Sequence, residues 1–165
     1  KKKEYFVVTL HRPANVDNSD KLKEMIHEIT SNVKGLPIVF PMHPRTAKIY
    51  KELGISAPNL FIVDPLGYHE FNYLVENALG VITDSGGITE ETTVMGVPCI
   101  TLRDNTERPE TVQIGTNELI GTDPKAIKPA LEKLLSNQWK KGGIPYLWDG
   151  KAAERIVECL SKIYG

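Results

Sequence analysis

The sequence predicts an α/β domain in which helices cover both faces of a parallel sheet. Short apolar segments alternate with helical patterns along the chain, and strands of that kind are typical of parallel sheets that are buried on both sides. The chain has 165 residues, of which 41% are hydrophobic and 25% are charged, as expected of one globular domain. We therefore expect a doubly wound, Rossmann-like fold.

The individual elements follow from apolar runs and helix caps. The run Tyr5–Leu10 is the first strand, and the polar residues 17–20 can cap a helix that would bury Leu22, Met25, Ile26 and Ile29. The predicted strands are residues 5–10, 37–40, 60–63, 80–83 and 98–102, with 117–120 as a candidate sixth. The later predicted helices cover about 43–53, 68–78, 87–95, 124–135 and 152–164.

Polar side chains are concentrated where these strands end. His11 and Arg12 follow the first strand, His43 the second, Asp84 to Gly87 the fourth and residues 103–110 the fifth. In doubly wound sheets, ligands bind beyond the carboxyl ends of the strands. These loops therefore form the candidate site.

The segment Ser85-Gly86-Gly87 lies where the fourth strand turns into a helix. Amides at the start of a helix can bind a phosphate, and glycines allow the phosphate to approach closely. Glu91, one turn further, could accept two hydrogen bonds from a ribose diol. A helix cap by Ser85, with glutamates that complement the helix dipole, accounts for the same residues without a ligand. This segment alone does not decide between the two interpretations.

Other side chains in these loops suit an anionic nucleotide. The imidazole of His11 and the guanidinium of Arg12 would fit a diphosphate, although a surface ion pair and a backbone hydrogen bond also explain them. Arg108 is either a second phosphate ligand or part of a solvated loop. Phe71 either stacks on a base, in a slot formed with Tyr68 and the backbone around Leu66, or belongs to the core.

Composition argues against several other functions. The formal net charge is −1, from 20 basic and 21 acidic residues, so we expect no general attraction to nucleic acid. No apolar run approaches the ~18 residues of a membrane span. The sequence lacks a signal-peptide pattern, and Cys99 and Cys159 form no disulfide framework, which suits a reducing cytoplasm. The histidines lack metal-ligand spacing, so we expect no metal site.

Five motifs occur in a fixed order along the chain: TLHRPANVDN, PMHPRT, DPLGYHEF, TDSGGITEE and NTERPE. Together they resemble the C-terminal half of the non-hydrolysing UDP-N-acetylglucosamine 2-epimerases, over about residues 5–121. That family has two Rossmann-like domains facing a cleft, as in GT-B glycosyltransferases. The resemblance implies that residues 1–165 are the C-terminal UDP-binding domain, and the abrupt start at the first strand suggests a domain cut from a longer protein.

The resemblance also implies particular residue roles. The turn from Ser85 to Gly87 would hold the diphosphate, Glu91 the ribose hydroxyls, and Arg108 would complete the anion site. His11 would be the catalytic residue of this domain, in contact with the diphosphate next to the reacting sugar.

Two further pairs of residues would contact other parts of the ligands. Phe71 and the main chain near Leu66 would bracket uracil, and Arg12 and His43 match positions of an allosteric UDP-sugar site in some bacterial members. The sequence differs from the usual pattern at Ala14, where glutamate is common, at Thr89, where glutamine is common, and at Leu66, which can be glutamine. These differences leave the phosphate and ribose ligands unchanged.

The chemistry implied by the resemblance needs a second domain. In that family, UDP leaves by elimination to give an unsaturated sugar, and it adds back after reprotonation on the opposite face of carbon 2. The carboxylates that move the proton are expected on the N-terminal domain, so the isolated chain would be inactive. The resemblance implies no cofactor, and it implies a homodimer for a full-length protein of polysaccharide biosynthesis.

Other functions fit the same residues. Sugar specificity would lie in the N-terminal domain, so an epimerase for a related UDP-diacetamido sugar is equally compatible. The donor-binding domain of a GT-B glycosyltransferase would use a similar phosphate site, but the HR and TERPE motifs argue against it. A non-catalytic nucleotide-sensing module would bind UDP without turnover.

Overall fold

The computed structural model describes residues 1–42 and 44–165, and within these ranges it places six strands in one parallel sheet. Hydrogen-bonded neighbours follow the order β3-β2-β1-β4-β5-β6. The strands are β1 (Phe6–Thr9), β2 (Ile38–Pro41), β3 (Leu60–Val63), β4 (Gly80–Thr83), β5 (Cys99–Thr101) and β6 (Asn117–Leu119). The predicted Rossmann-like fold and the candidate sixth strand are therefore confirmed.

The strand order contains a topological switch point. From β1 the chain builds outwards to β2 and β3, and it then returns to place β4 on the other side of β1. In register, Val8 pairs with Ile82 and Thr9 with Thr83, so β1 and β4 end side by side. The connections on either side of a switch point leave a crevice at the carboxyl ends of the strands.

Helices occupy the segments between the strands, and two of them were not predicted. They are α1 (Pro13–Val16), α2 (Ser19–Asn32), α3 (Pro44–Glu52), α4 (Tyr68–Glu76), α5 (Gly86–Met95), α6 (Pro109–Gln113), α7 (Ile127–Leu135) and α8 (Ala152–Tyr164). The sequence analysis placed no helix at α1 or α6. Both begin with proline at the first helical position, where the fixed φ suits a helix and the missing N–H is not needed.

The sheet separates two apolar clusters. Phe6 and Val8 of β1 contribute to the larger cluster, where Leu22, Met25 and Leu131 of the covering helices are fully buried. Val7 points to the opposite face and packs with the smaller cluster that includes Val75 and Val81. This alternation follows from the two-residue period of a strand. Burial of each large aliphatic side chain contributes about 1.5–3 kcal/mol.

Helix α8 has an apolar face that the described part of the chain does not cover. Ile156, Val157, Leu160 and Ile163 are between 49% and 63% exposed, and among the described residues the helix buries none of its own. An ion pair between Asp149 and Arg155 holds its first turn to the preceding loop.

The described residues contain neither a membrane-spanning helix nor a cluster of metal ligands. No helix there is long and apolar enough to cross a membrane. No group of three or more His, Cys, Asp or Glu side chains in residues 1–42 and 44–165 is placed to hold a metal ion.

Candidate functional site

The carboxyl ends of β1 and β4 form what we call the switch crevice, made by residues 11–12 and 84–87. His11 and Arg12 are brought against the start of α5, as the sequence predicted. The backbone N–H groups of His11 and Arg12 donate to the Asp84 carboxylate over 3.1 Å and 2.9 Å, and Arg12 Nε donates to the Asp84 carbonyl over 3.0 Å. Two loops that are distant in sequence are therefore joined by one residue.

Asp84 organises the crevice, and sequence reasoning assigned it no role. Its side chain is fully buried, and its Oδ1 lies 2.9 Å from His11 Nδ1. Asn15 Nδ2 donates to Asp84 Oδ2 over 3.2 Å and to the Leu102 carbonyl over 3.0 Å. An acidic residue directly after a buried strand was the available signal, but its partners lie about seventy positions away in the sequence.

Helix α5 begins at this crevice without a side-chain cap. Ser85 occupies the N-cap position, but among the described residues its side chain makes no capping hydrogen bond. Its backbone N–H donates to Thr83 Oγ1 over 2.9 Å. The first amides of a helix lack intrahelical partners, so this end is suited to an anion, and the cap interpretation of Ser85 loses its main support.

The glycines at this turn leave space in front of the helix. A Cβ atom built on Gly87 would meet nothing within 4 Å in the described structure, so packing does not require glycine there. A Cβ on Gly86 would lie 3.4 Å from Arg103 Nη1 and from Glu107 Oε2. Because position 86 is glycine, the side chains of Arg103 and Glu107, which form an ion pair, can lie close to the backbone of this turn.

Arg103 and Glu107 form a two-pronged ion pair beside the turn. Arg103 is buried, and its Nη1 and Nη2 donate to Glu107 over 2.9 Å and 2.7 Å. The hydrogen bond from Arg103 lowers the pKa of Glu107 to about 2, and the charge of Arg12 acts in the same direction. The pair therefore holds the loop after β5 in place with the carboxylate ionised.

A cleft of about 470 Å³ lies between α4 and α5, and we call it the α4–α5 cleft. Glu91 and Arg108, which the sequence singled out, both line it. The lining residues are Tyr68, Asn72, Glu90, Glu91, Val94, Met95, Arg108, Glu110 and Trp148. The sequence pointed to Tyr68 only as a neighbour of Phe71 in a slot for a base. Asn72 and Trp148 carried no sequence signal that separated them from ordinary surface residues.

Adjacent glutamates in this cleft have different environments. Burial raises the pKa of Glu91, the charge of Glu90 raises it further, and polar contacts from Tyr68 and Asn72 oppose the shift. Glu90 is instead ion-paired with Arg108, whose Nε donates to Glu90 Oε1. In this structure Arg108 therefore contacts Glu90, on the second turn of α5.

The two residues expected to bracket uracil, Phe71 and Leu66, do not line the α4–α5 cleft. Phe71 is half-buried and packs against the smaller apolar cluster. Leu66 is 37% exposed in the loop before α4. His43 lies outside the described residues.

Comparisons with known proteins agree on one family. The family model for UDP-N-acetylglucosamine 2-epimerase matches residues 1–161. A UDP-N-acetylglucosamine 2-epimerase from Methanocaldococcus jannaschii is 43% identical over 96% of this chain and 44% of its own length. The crystal structure of the M. jannaschii UDP-GlcNAc 2-epimerase in complex with UDP-GlcNAc and UDP superposes with a TM-score of 0.83 at 42% identity, over 98% of this chain and 46% of that one.

A relative with a different sugar substrate in its name is also similar. The UDP-2,3-diacetamido-2,3-dideoxy-D-glucuronate 2-epimerase of Pseudomonas aeruginosa is 36% identical over 96% of this chain and 45% of its own length. The chain thus spans a little under half the length of the relatives that it matches.

Proposed function

The chain belongs to the UDP-N-acetylglucosamine 2-epimerase family, and we propose that it is the C-terminal UDP-binding domain of an enzyme that interconverts UDP-N-acetylglucosamine and UDP-N-acetylmannosamine. The observation that carries the proposal is the convergence of His11, Arg12 and the uncapped start of α5 at the switch crevice. The α4–α5 cleft, which holds Glu91, adjoins this anion site along the same helix.

The diphosphate of UDP would bind at the start of α5. Ser85, Gly86 and Gly87 provide helix-start amides that favour an anion, and the open space at Gly87 admits a phosphate oxygen near the backbone. Arg12 supplies a fixed positive charge at the crevice. Arg108 would complete the site by leaving Glu90 and turning towards the phosphate.

The uridine would extend from the diphosphate into the α4–α5 cleft. An ionised Glu91 offers two oxygens that can accept from the 2′- and 3′-hydroxyls of ribose. Uracil would lie near the loop before α4, against the main chain at Leu66 and the ring of Phe71. Tyr68 stands on the same first turn of α4 and lines the cleft beside Glu91.

In the proposed reaction, this domain binds the leaving group. UDP would leave carbon 1 of the sugar as a proton leaves carbon 2, and the resulting unsaturated sugar would take UDP back after reprotonation on the other face. His11 would contact the diphosphate next to the breaking bond. The carboxylates that move the proton would belong to an N-terminal domain, so we expect the 165-residue chain alone to be inactive.

Several assignments rest on this function. The full-length enzyme would be a cytoplasmic homodimer that supplies a sugar nucleotide for polysaccharide synthesis, with no cofactor. Arg12, together with His43, would contact a second UDP-sugar molecule that regulates the enzyme.

A second candidate is an epimerase for a UDP-diacetamido sugar. The similarity to the P. aeruginosa enzyme, at 36% identity, is the observation that favours it. Both candidates use the same UDP site and differ in the sugar, which the second domain would recognise.

Amide mapping by NMR tests the UDP site. We expect titration of the labelled chain with UDP to change the amide chemical shifts of Ser85, Gly86 and Gly87 and of residues of the α4–α5 cleft. The amide chemical shifts of α7 should not change. Shifts confined to the opposite edge of the sheet would refute the assignment. Incubation of the chain with UDP-N-acetylglucosamine should give no manno epimer, and conversion would refute the need for a second domain.

A further inference from the structure

Asp84 is a buried carboxylate whose contacts are all N–H donors among the described residues. Its side chain is fully buried, and a buried charge is stable only when it is paired or hydrogen-bonded. The backbone amides of His11 and Arg12 and the Asn15 side chain donate to it over 2.9–3.2 Å, and His11 Nδ1 lies 2.9 Å from its Oδ1. Of the groups around the carboxylate, the backbone amides and the Asn15 side chain lie in the interior, and one group reaches the surface.

That surface group is the ring of His11. The His11 side chain is 59% exposed, and its Nδ1 lies 2.9 Å from Asp84 Oδ1. An ionised carboxylate can only accept a hydrogen bond, so Nδ1 must carry a proton in this contact. In the neutral ring Nε2 is then the nitrogen without a proton, whereas a free imidazole can carry its proton on either nitrogen.

We propose that Asp84 is a positioning residue that fixes the tautomer and orientation of His11, so that Nε2 is the nitrogen that meets the diphosphate. This inference rests on the proposed function for its ligand. When UDP binds, the ring would lie between two anions, Asp84 at Nδ1 and the diphosphate at Nε2. It would then carry both protons, the second taken from solvent, and would donate one hydrogen bond to each anion.

The same residue orients the neighbouring cation. Arg12 donates its Nε to the Asp84 carbonyl over 3.0 Å and its backbone N–H to the carboxylate over 2.9 Å. Asp84 directly precedes the N-cap of α5. One residue therefore sets the positions of the imidazole, the guanidinium and the helix start relative to one another.

The Asp84→Asn variant distinguishes this positioning role from a purely structural one, because only the positioning role predicts a change in the His11 tautomer. Asp84 Oδ2 faces the backbone N–H groups of His11 and Arg12, which can only donate. It also faces Asn15 Nδ2, which stays a donor because the same nitrogen donates to the Leu102 carbonyl. The oxygen of the new amide must stay there, so its NH₂ group takes the place of Oδ1 and faces His11 Nδ1. The imidazole can adapt by moving its proton to Nε2. The variant is therefore expected to reverse the tautomer.

Long-range proton–nitrogen NMR of the ¹⁵N-labelled 165-residue chain tests this inference, with His11→Gln used to assign the ring. In the wild type at a pH where histidine is neutral, we expect a protonated Nδ1 and a bare Nε2, and in Asp84→Asn the reverse. Saturating UDP should protonate both nitrogens in the wild type. The variant should bind UDP roughly tenfold more weakly, as loss of one charge-assisted hydrogen bond implies. Thr9→Val, which removes a hydroxyl contact to Thr83 at the same edge, is the control and should keep the wild-type tautomer.

The outcomes separate the two proposals. A wild-type His11 protonated at Nε2, or an Asp84→Asn variant with an unchanged tautomer, overturns the role of Asp84 whether or not UDP binds. The expected tautomers without UDP binding would support the role of Asp84 and refute the UDP site. If Asp84→Asn does not fold, the wild-type spectrum alone still decides the tautomer.

Discussion

Glu90 and Glu91 show how two identical neighbours acquire different chemistry. Glu90 is neutralised by Arg108 at the rim of the α4–α5 cleft. Glu91 is partly desolvated, and burial raises its pKa. A carboxylate with a perturbed pKa in a cleft is a candidate for ligand binding, and this is why we assign the ribose to Glu91.

The first prediction concerns the pH dependence of UDP binding. Protonation removes the charge of Glu91 and one acceptor, so UDP affinity should fall as the pH decreases through the raised pKa of Glu91. Glu91→Gln should lack this component and retain only the changes due to UDP itself, whose phosphate titrates near pH 6, and to the proton that His11 takes up when UDP binds. Affinities measured from about pH 8 to about pH 5 provide the test. Parallel profiles for the two proteins would contradict the ribose role.

The same shift has a consequence for stability. The pKa of Glu91 is higher in the folded than in the unfolded chain, so its contribution to stability is present at low pH and is lost as the pH rises through the folded pKa. Glu91→Gln should therefore have a higher Tm than the wild type at neutral pH, with the difference disappearing below the unfolded pKa. A lower Tm at neutral pH would show that the ionised form is favoured in the folded state. Glu132→Gln, on the exposed side of α7, is the matched control and should show no such dependence.

Arg108 gives a third prediction. If it turns from Glu90 to the diphosphate, Arg108→Gln should weaken UDP binding about tenfold, the effect of losing one charge-assisted hydrogen bond. Binding of uridine, which lacks phosphate, should be unchanged. Calorimetry with both ligands measures the difference, and Arg155→Gln is a matched control because Arg155 is also in a half-exposed ion pair. Equal effects on UDP and uridine would place Arg108 at the nucleoside.

Helix α5 contributes to the stability of the fold and is proposed to bind the phosphate. A substitution at Gly87 should affect stability and binding differently. Its added Cβ would be unobstructed, and alanine favours a helix over glycine by up to about 1 kcal/mol. We expect Gly87→Ala to keep or raise Tm and to weaken UDP binding by blocking the close approach of a phosphate. Gly96→Ala is the contrasting variant, because Gly96 ends the helix with φ of 66° and should lose stability. UDP affinity unchanged in Gly87→Ala would contradict the proposed phosphate position.

Helix α8 contributes little to the fold of this chain. Leu160 is 49% exposed, whereas Leu131 of α7 is fully buried. Leu160→Ala should change the free energy of unfolding by no more than about 0.5 kcal/mol, and Leu131→Ala should lower it by about 2–5 kcal/mol. Urea denaturation of both variants checks this. A large loss from Leu160→Ala would mean that α8 packs against the domain.

The fold class and the longer elements could be predicted because β1 to β5 are short apolar runs and each long helix has a cap or an apolar face, whereas the short helices α1 and α6 were missed. That His11, Arg12 and Ser85 share one edge of the sheet also followed from the sequence, since parallel strands end at one edge. The contacts of Asp84 could not be predicted, because they depend on the strand order that places β1 next to β4. Trp148 was missed for a similar reason: it reaches the α4–α5 cleft from a loop far along the chain.

The molecule as a whole is proposed to present one nucleotide site at the carboxyl edge of its sheet, in half of an active site. The chain spans a little under half the length of the relatives that it matches, and we propose that a second domain completes the site. The sugar would lie between this domain and the second domain, so the proposed contacts of this chain are to UDP.

Calorimetric titration with UDP, on the wild-type chain and on Glu91→Ala, tests the central proposal most directly. We expect the wild type to bind one UDP and Glu91→Ala to bind at least about tenfold more weakly, because two hydrogen bonds to a charged group are lost. Inorganic diphosphate should bind both proteins equally. Absence of UDP binding by the folded wild type, or equal UDP affinity in the two proteins, would contradict the proposed site.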